Sequence, residues 1–153
     1  MNLFSLLDQA ARRFPRHGAA YAGTELVLSY AELRSRALRL AADLRRRYRA
    51  GDRIAIVSEN RTEYLELLFG VWAAGLVAVP INAKLHAREI VAIVENAQAA
   101  AVFVSPKLGG PLAAELHAWR VACDVTVIGG DDYVGGLSSD ALEPVTTEPQ
   151  SLA

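Results

Sequence analysis

Apolar residues in this chain recur in two alternating rhythms. Leu33, Ala37, Leu40, Ala41 and Leu44 fall three and four apart, the period of a helix with one buried stripe. In RIAIVS, from Arg53, nearly every position is apolar, as in a strand covered on both faces. The stretch EYLELLFGVWAAGLVAVPIN, residues 63–82, runs the two together; between Tyr64 and Ile81 its only charge is Glu66. Tyr64, Leu65, Leu68, Val71 and Trp72 keep helical spacing, and Asn60 with Glu63 predicts a reciprocal cap at the helix start. Gly75 offers the permissive backbone that ends helices. LVAVP then alternates β-branched residues up to Pro80, which lacks a ladder N–H, and predicts a short strand over 77–80. A membrane span needs roughly 20 continuous apolar residues in one helix. Gly75, Pro80 and Glu66 interrupt this stretch, so no membrane span is expected.

The same alternation extends along the chain. Leu3, Phe4, Leu7, Ala10, Ala11 and Phe14 mark an amphipathic N-terminal helix, and AAYAG and ELVLS predict a hairpin over residues 19–29. Ser29 with Glu32 is a capping-box pattern opening a helix to about Tyr48. HAREIVAIVENA reads as a helix with Leu85, Ile90, Val91 and Val94 inward, and AAAVFVS as a buried strand. GPLAAELHAWR reads as a helix with Pro111 near its first turn, and DVTVIGG as the last strand. Strands alternating with helices imply an α/β fold, a parallel sheet with helices on both faces plus the short N-terminal hairpin. Residues 1–130 form this α/β unit. Residues 131–153, acidic and rich in Gly, Ser, Thr and Pro, read as a linker. Ligands of such sheets bind beyond the carboxyl ends of the strands, here residues 58–60, 81–84, 105–107 and 129–132.

Composition adds bounds rather than chemistry. The 153 residues are 52% hydrophobic and 22% charged with a net charge of −1, a globular balance with no strong overall pull toward nucleic acid or membrane. Arginines are concentrated in the first 61 residues, seven of them (Arg34, Arg36, Arg39, Arg45, Arg46, Arg47 and Arg49) on or beside the second helix. A solvated helix face accounts for them, and a surface for a phosphate-rich partner is the rival reading. Cys123 is the single cysteine, so no intrachain disulfide forms; it reads as a small core residue. No basic–apolar–small signal pattern opens the chain, and a cytoplasmic protein is expected.

Catalytic motifs are absent. No G-x-G-x-x-G follows a strand and no G-x-x-x-x-G-K-[ST] occurs. The pairs Gly109–Gly110, Gly129–Gly130 and Gly135–Gly136 read as turns. His86 with Glu89 lacks a third metal ligand, Asp131 with Asp132 lacks a partner, and no nucleophile has a base.

Three blocks in order, LSYAELRSRALRLAADL, GDRIAIVSENRTEYLELLFGVWAAGLVAVPIN and LHAREIVAIVENAQAAAVFVS, resemble the opening part of the adenylate-forming (AMP-binding) enzymes, in the acyl-CoA synthetase branch. The resemblance covers about residues 3–153. It implies the N-terminal part of an enzyme that joins a carboxylic acid to CoA through an acyl-adenylate, with ATP, Mg and CoA as cofactors of the parent enzyme and none held by this chain. The Thr/Ser/Gly-rich phosphate loop and the catalytic lysine of that family have no counterpart here, and EPVTTEPQSLA looks like the lead-in to the loop. The isolated chain is therefore expected to be inactive, with no catalytic or metal-binding residue. Its partners would be the remainder of the large domain, or further copies of itself through self-association, and not nucleic acid. One position is implied at a ligand: Lys84 in NAKL stands where some members place a basic residue near the CoA nucleotide. A stand-alone, non-catalytic α/β module for a nucleotide or CoA is the alternative reading.

Overall fold

Arg53–Ser58 (β3) is the centre from which the fold is built. Its four interior residues are fully buried, and its neighbours are Val77–Asn82 (β4) on one side and Ala101–Val104 (β5) on the other, both parallel to it. Asp124–Val127 (β6) adds to β5, giving the order β4-β3-β5-β6 in a computed structural model that describes residues 2–137 and residue 140. The antiparallel hairpin of Gly18–Ala22 (β1) and Glu25–Ser29 (β2) is separate from this sheet. Both parts of the expected α/β class are present.

The connections dictate the layers. The step from β3 to β4 runs toward one edge, whereas those from β4 to β5 and from β5 to β6 run toward the other. Right-handed crossovers in opposite directions place their helices on opposite faces. Glu63–Ala73 (α3) lies on the first face with Phe4–Arg13 (α1) and Tyr30–Arg47 (α2), around Ile54, Ile56 and Phe103. Ala87–Asn96 (α4) and Pro106–Trp119 (α5) cover the second, around Ala55, Val57, Val102 and Val104. Successive residues of β3 and β5 thus feed different cores, which is why those strands are apolar throughout.

Local signals explain most boundaries. The Ser29 hydroxyl accepts from the Glu32 N–H and the Glu32 carboxylate accepts from the Ser29 N–H, the reciprocal cap expected for α2. Gly75 sits at φ 78° between α3 and β4, a left-handed conformation that suits glycine. Among the described residues no helix is long and apolar enough to cross a membrane.

Several expectations are corrected. Asn60 does not cap α3; Thr62 holds that position without a side-chain capping bond, its hydroxyl donating instead to Glu63 Oε2 at 3.3 Å, while the Glu63 carboxylate turns to Arg61. Pro80 does not end β4, which continues to Asn82. As an edge strand, β4 can leave an N–H out of the ladder, so proline is tolerated. α5 starts at Pro106, which puts Pro111 and the Gly109–Gly110 pair inside it. The hydrogen bond that Pro111 cannot make would have gone to the carbonyl of Lys107, an exposed first-turn residue. The linker expected from residue 131 instead opens on a helix, Asp131–Leu137 (α6), which contains Gly135 and Gly136 and buries Tyr133. Residues 138, 139 and 141–153 of that expected linker lie outside the described residues.

Candidate functional site

β3 and β4 end side by side, Ser58 opposite Asn82. Past those ends the chain diverges into α3 on one side and the 83–86 turn on the other, and the β1–β2 hairpin completes a cleft of about 1220 Å³. Its apolar lining includes Val27, Tyr64 and Pro80; its charged lining includes Arg61, Glu63 and Lys84. Two of the four expected strand ends, residues 58–60 and 81–84, therefore share one space.

The other two do not join them. Ser105 is buried, and its hydroxyl accepts the Glu59 N–H at 3.2 Å. That bond bridges the gap between the ends of β3 and β5, where the winding reverses and ligand crevices in such sheets usually open. The cleft therefore lies one strand over, toward the β4 edge. Residues 105–107 begin α5, and Asp131 and Asp132 stand in the first turn of α6, where carboxylates suit the helix dipole.

Within the cleft the charges differ in availability. Arg61 Nη2 donates to Glu63 Oε1 at 2.7 Å. This ion pair lowers the Glu63 pKa and raises that of Arg61. Lys84 is exposed, and its ammonium has no ion-pair partner among the described residues. Its backbone is fixed instead: the Asn82 side-chain oxygen accepts the Lys84 N–H at 3.0 Å, closing an Asx-type turn. Glu59 lines the cleft too, so two cations face two carboxylates there, and Lys84 is the cation without an ion-pair partner among the described residues. A second cation, Arg61, becomes available to an anion only by leaving Glu63. Such a donor set does not make a cradle for a metal-bound triphosphate.

The remaining candidates have structural roles. The Glu89 carboxylate accepts the His86 N–H at 2.9 Å, so the pair caps α4. No group of three or more potential metal ligands occurs among the described residues. Cys123 is half-buried, and burial, then the neighbouring Asp124, pushes its thiol pKa up to about 11, far from a reactive thiolate. Much of the arginine-rich face of α2 is turned to packing. Arg34 meets Asp8 of α1 at 2.6 Å, Arg36 meets Glu66 of α3, Arg45 donates to the Ala73 carbonyl at 3.1 Å, and Arg46 and Arg47 pair with Asp43. Sequence reasoning missed the contact made by Tyr133, whose hydroxyl donates to Glu66 at 2.9 Å. The one available signal was Glu66 itself, an isolated charge in an apolar helix.

Comparison with known proteins gives this geometry a context. The sequence pattern of the AMP-binding enzymes matches residues 7–150. A feruloyl-CoA synthase of an Amycolatopsis species is 36% identical over 103 residues, covering 67% of this chain and 21% of that protein. A long-chain-fatty-acid–CoA ligase of Mycobacterium tuberculosis is 32% identical over 154 residues, covering 96% of this chain and 30% of the ligase. The ATP-bound structure of MatB from Rhodopseudomonas palustris superposes with a TM-score of 0.81 at 27% identity, over 96% of this chain and 30% of that one. The chain thus spans less than a third of the length of these relatives.

Proposed function

The chain belongs to the AMP-binding enzyme family, and on that premise we propose that it is the N-terminal portion of an ATP-dependent acyl-CoA synthetase. In that reading the whole enzyme converts a carboxylic acid, ATP and CoA into acyl-CoA, AMP and pyrophosphate through an acyl-adenylate, in the cytoplasm, with Mg as the metal. The observation that carries the reading is the match over residues 7–150, joined by similarity to CoA ligases across most of the chain.

The part played by these residues follows from the cleft. ATP and Mg supply the activation chemistry of the whole enzyme, and the donor set here does not fit them. The four-stranded sheet forms one wall of a larger site. Lys84, held by the Asn82 turn, contributes a point charge for a phosphate of CoA. Arg61 and Glu63 neutralise each other and shape the floor. Neutralising charge at a reacting phosphate needs several converging donors. One exposed ammonium does not provide them, so the chain by itself is expected not to adenylate an acid. The remainder of the large domain is the partner that completes the site.

Acid-dependent exchange of pyrophosphate into ATP tests this directly. The chain alone should show none with any carboxylic acid. A chimera that joins it to the remainder of the M. tuberculosis ligase should show exchange. Turnover by the chain alone, or a folded but silent chimera, would refute the proposal.

A further inference from the structure

α6 is too short to stand alone. It has seven residues, two of them glycine, and isolated helices of that length do not persist in water. Asp131, Asp132 and Val134 are exposed. Leu137 packs on the core beneath the helix, and Tyr133 is the helix's most deeply buried side chain. Tyr133 is 2% exposed, its ring lies edge-on to Phe103 of β5 at 6.3 Å between centroids, and its hydroxyl donates to Glu66 Oε2 at 2.9 Å. Gly136 permits the close approach, since a Cβ there would lie 3.0 Å from Asp43 Oδ2 of α2.

The acceptor is unusual as well. Glu66 is 1% exposed and lies in the most apolar helix of the chain. Arg36 supplies its countercharge, with Nε at 2.5 Å from Oε1 and Nη2 at 3.2 Å from Oε2. Tyr133 supplies a third donor. Lifting α6 breaks this bond and leaves Glu66 with its two Arg36 donors, so the docked helix is favoured by a hydrogen bond to a charged acceptor. The docking of α6 and the gain of that third donor are thus one event.

We infer that Glu66 is a latch, holding α6 to the sheet through Tyr133, and that α6 opens and closes as a separate unit about this bond while the sheet stays folded.

Native-state hydrogen exchange followed by mass spectrometry tests it on the full chain. Replacing Tyr133 by Phe keeps the ring and removes only the donor. In Tyr133→Phe, the amides of residues 131–137 should exchange about ten- to a hundred-fold faster, the loss expected for one hydrogen bond to a charged group. Amides of β3 and β5 that exchange only through global unfolding should accelerate by no more than the same factor, since the bond is lost in that state as well. Glu66→Gln should accelerate the same segment. In the unsubstituted chain, α6 exchange should depend weakly on urea and separately from the sheet. Unchanged α6 exchange in Tyr133→Phe would overturn the latch. So would a single shared urea dependence of α6 and sheet in the unsubstituted chain.

Discussion

The two faces of the sheet are built by different rules. On the face covered by α4 and α5, the buried residues are Ala55, Val57, Val102, Val104, Ile90, Val91, Val94, Leu112 and others, all apolar. On the face covered by α1, α2, α3 and α6, an equally apolar core encloses a charged network of Glu66, Arg36 and Tyr133. The first face has a purely apolar interior, the α4–α5 ion pair of Arg88 with Glu115 lying at the exposed rim. The second also requires particular donors and acceptors to meet, and such networks fix which helix docks where. The elements that docking must place, the hairpin and α6, are on that second side.

The largest effect should come from the purely apolar face. Leu112 is fully buried, and Leu112→Ala should cost about 3 kcal/mol in urea unfolding, with no change in slope. A loss below about 1 kcal/mol would show that this core is looser than its burial indicates.

That face was also the readable one. Ile90, Val91 and Val94 declare their helix by spacing, and β5 declares itself by four apolar residues in a row. Elsewhere, tertiary partners overrode local signals. Glu63 bonds to Arg61 rather than capping from Asn60, and Pro80 is accommodated because β4 is an edge. α6 escaped notice because Gly135 and Gly136 look like a turn until Tyr133 is seen to be anchored to Glu66 of α3, 67 residues earlier. The cleft was half legible. The rule that ligands gather at strand ends found residues 58–60 and 81–84, but no sequence pattern announces that Ser105 shuts the neighbouring gap with Glu59.

On the polar face, Glu66→Ala strands Arg36 and Tyr133 and should cost about 2 kcal/mol, at the low end for a broken buried pair because the Arg36 side chain is 41% exposed. Replacing the pair together, Glu66→Leu with Arg36→Met in a Tyr133→Phe background, should recover most of that loss in the same unfolding assay. If the combined variant is no more stable than the single, the network contributes stability of its own and the contrast between the faces is one of strength rather than specificity.

A smaller effect separates the faces by pH. Burial alone would raise the Asp8 pKa, but hydrogen bonds from Arg34 and Arg12 outweigh it and hold the group below its ordinary value of 3.8. A carboxylate with a depressed folded pKa stabilises fully above its unfolded value, and that contribution is lost as pH falls through the folded one. Acidification below about pH 4 should therefore loosen α1 from α2 before it disturbs α4 and α5, as read by amide exchange at successive pH values. Simultaneous loosening of both faces would contradict this order.

The smallest effect on stability is expected at the cleft. Lys84→Ala removes an exposed side chain and should shift unfolding by less than about 0.5 kcal/mol. Its consequence belongs to binding. Calorimetric titration of the chain with CoA measures whether this cleft is one wall of a larger site. The account predicts binding no tighter than about 1 mM, abolished by Lys84→Ala. Micromolar binding by the chain alone, or binding indifferent to Lys84, would contradict it.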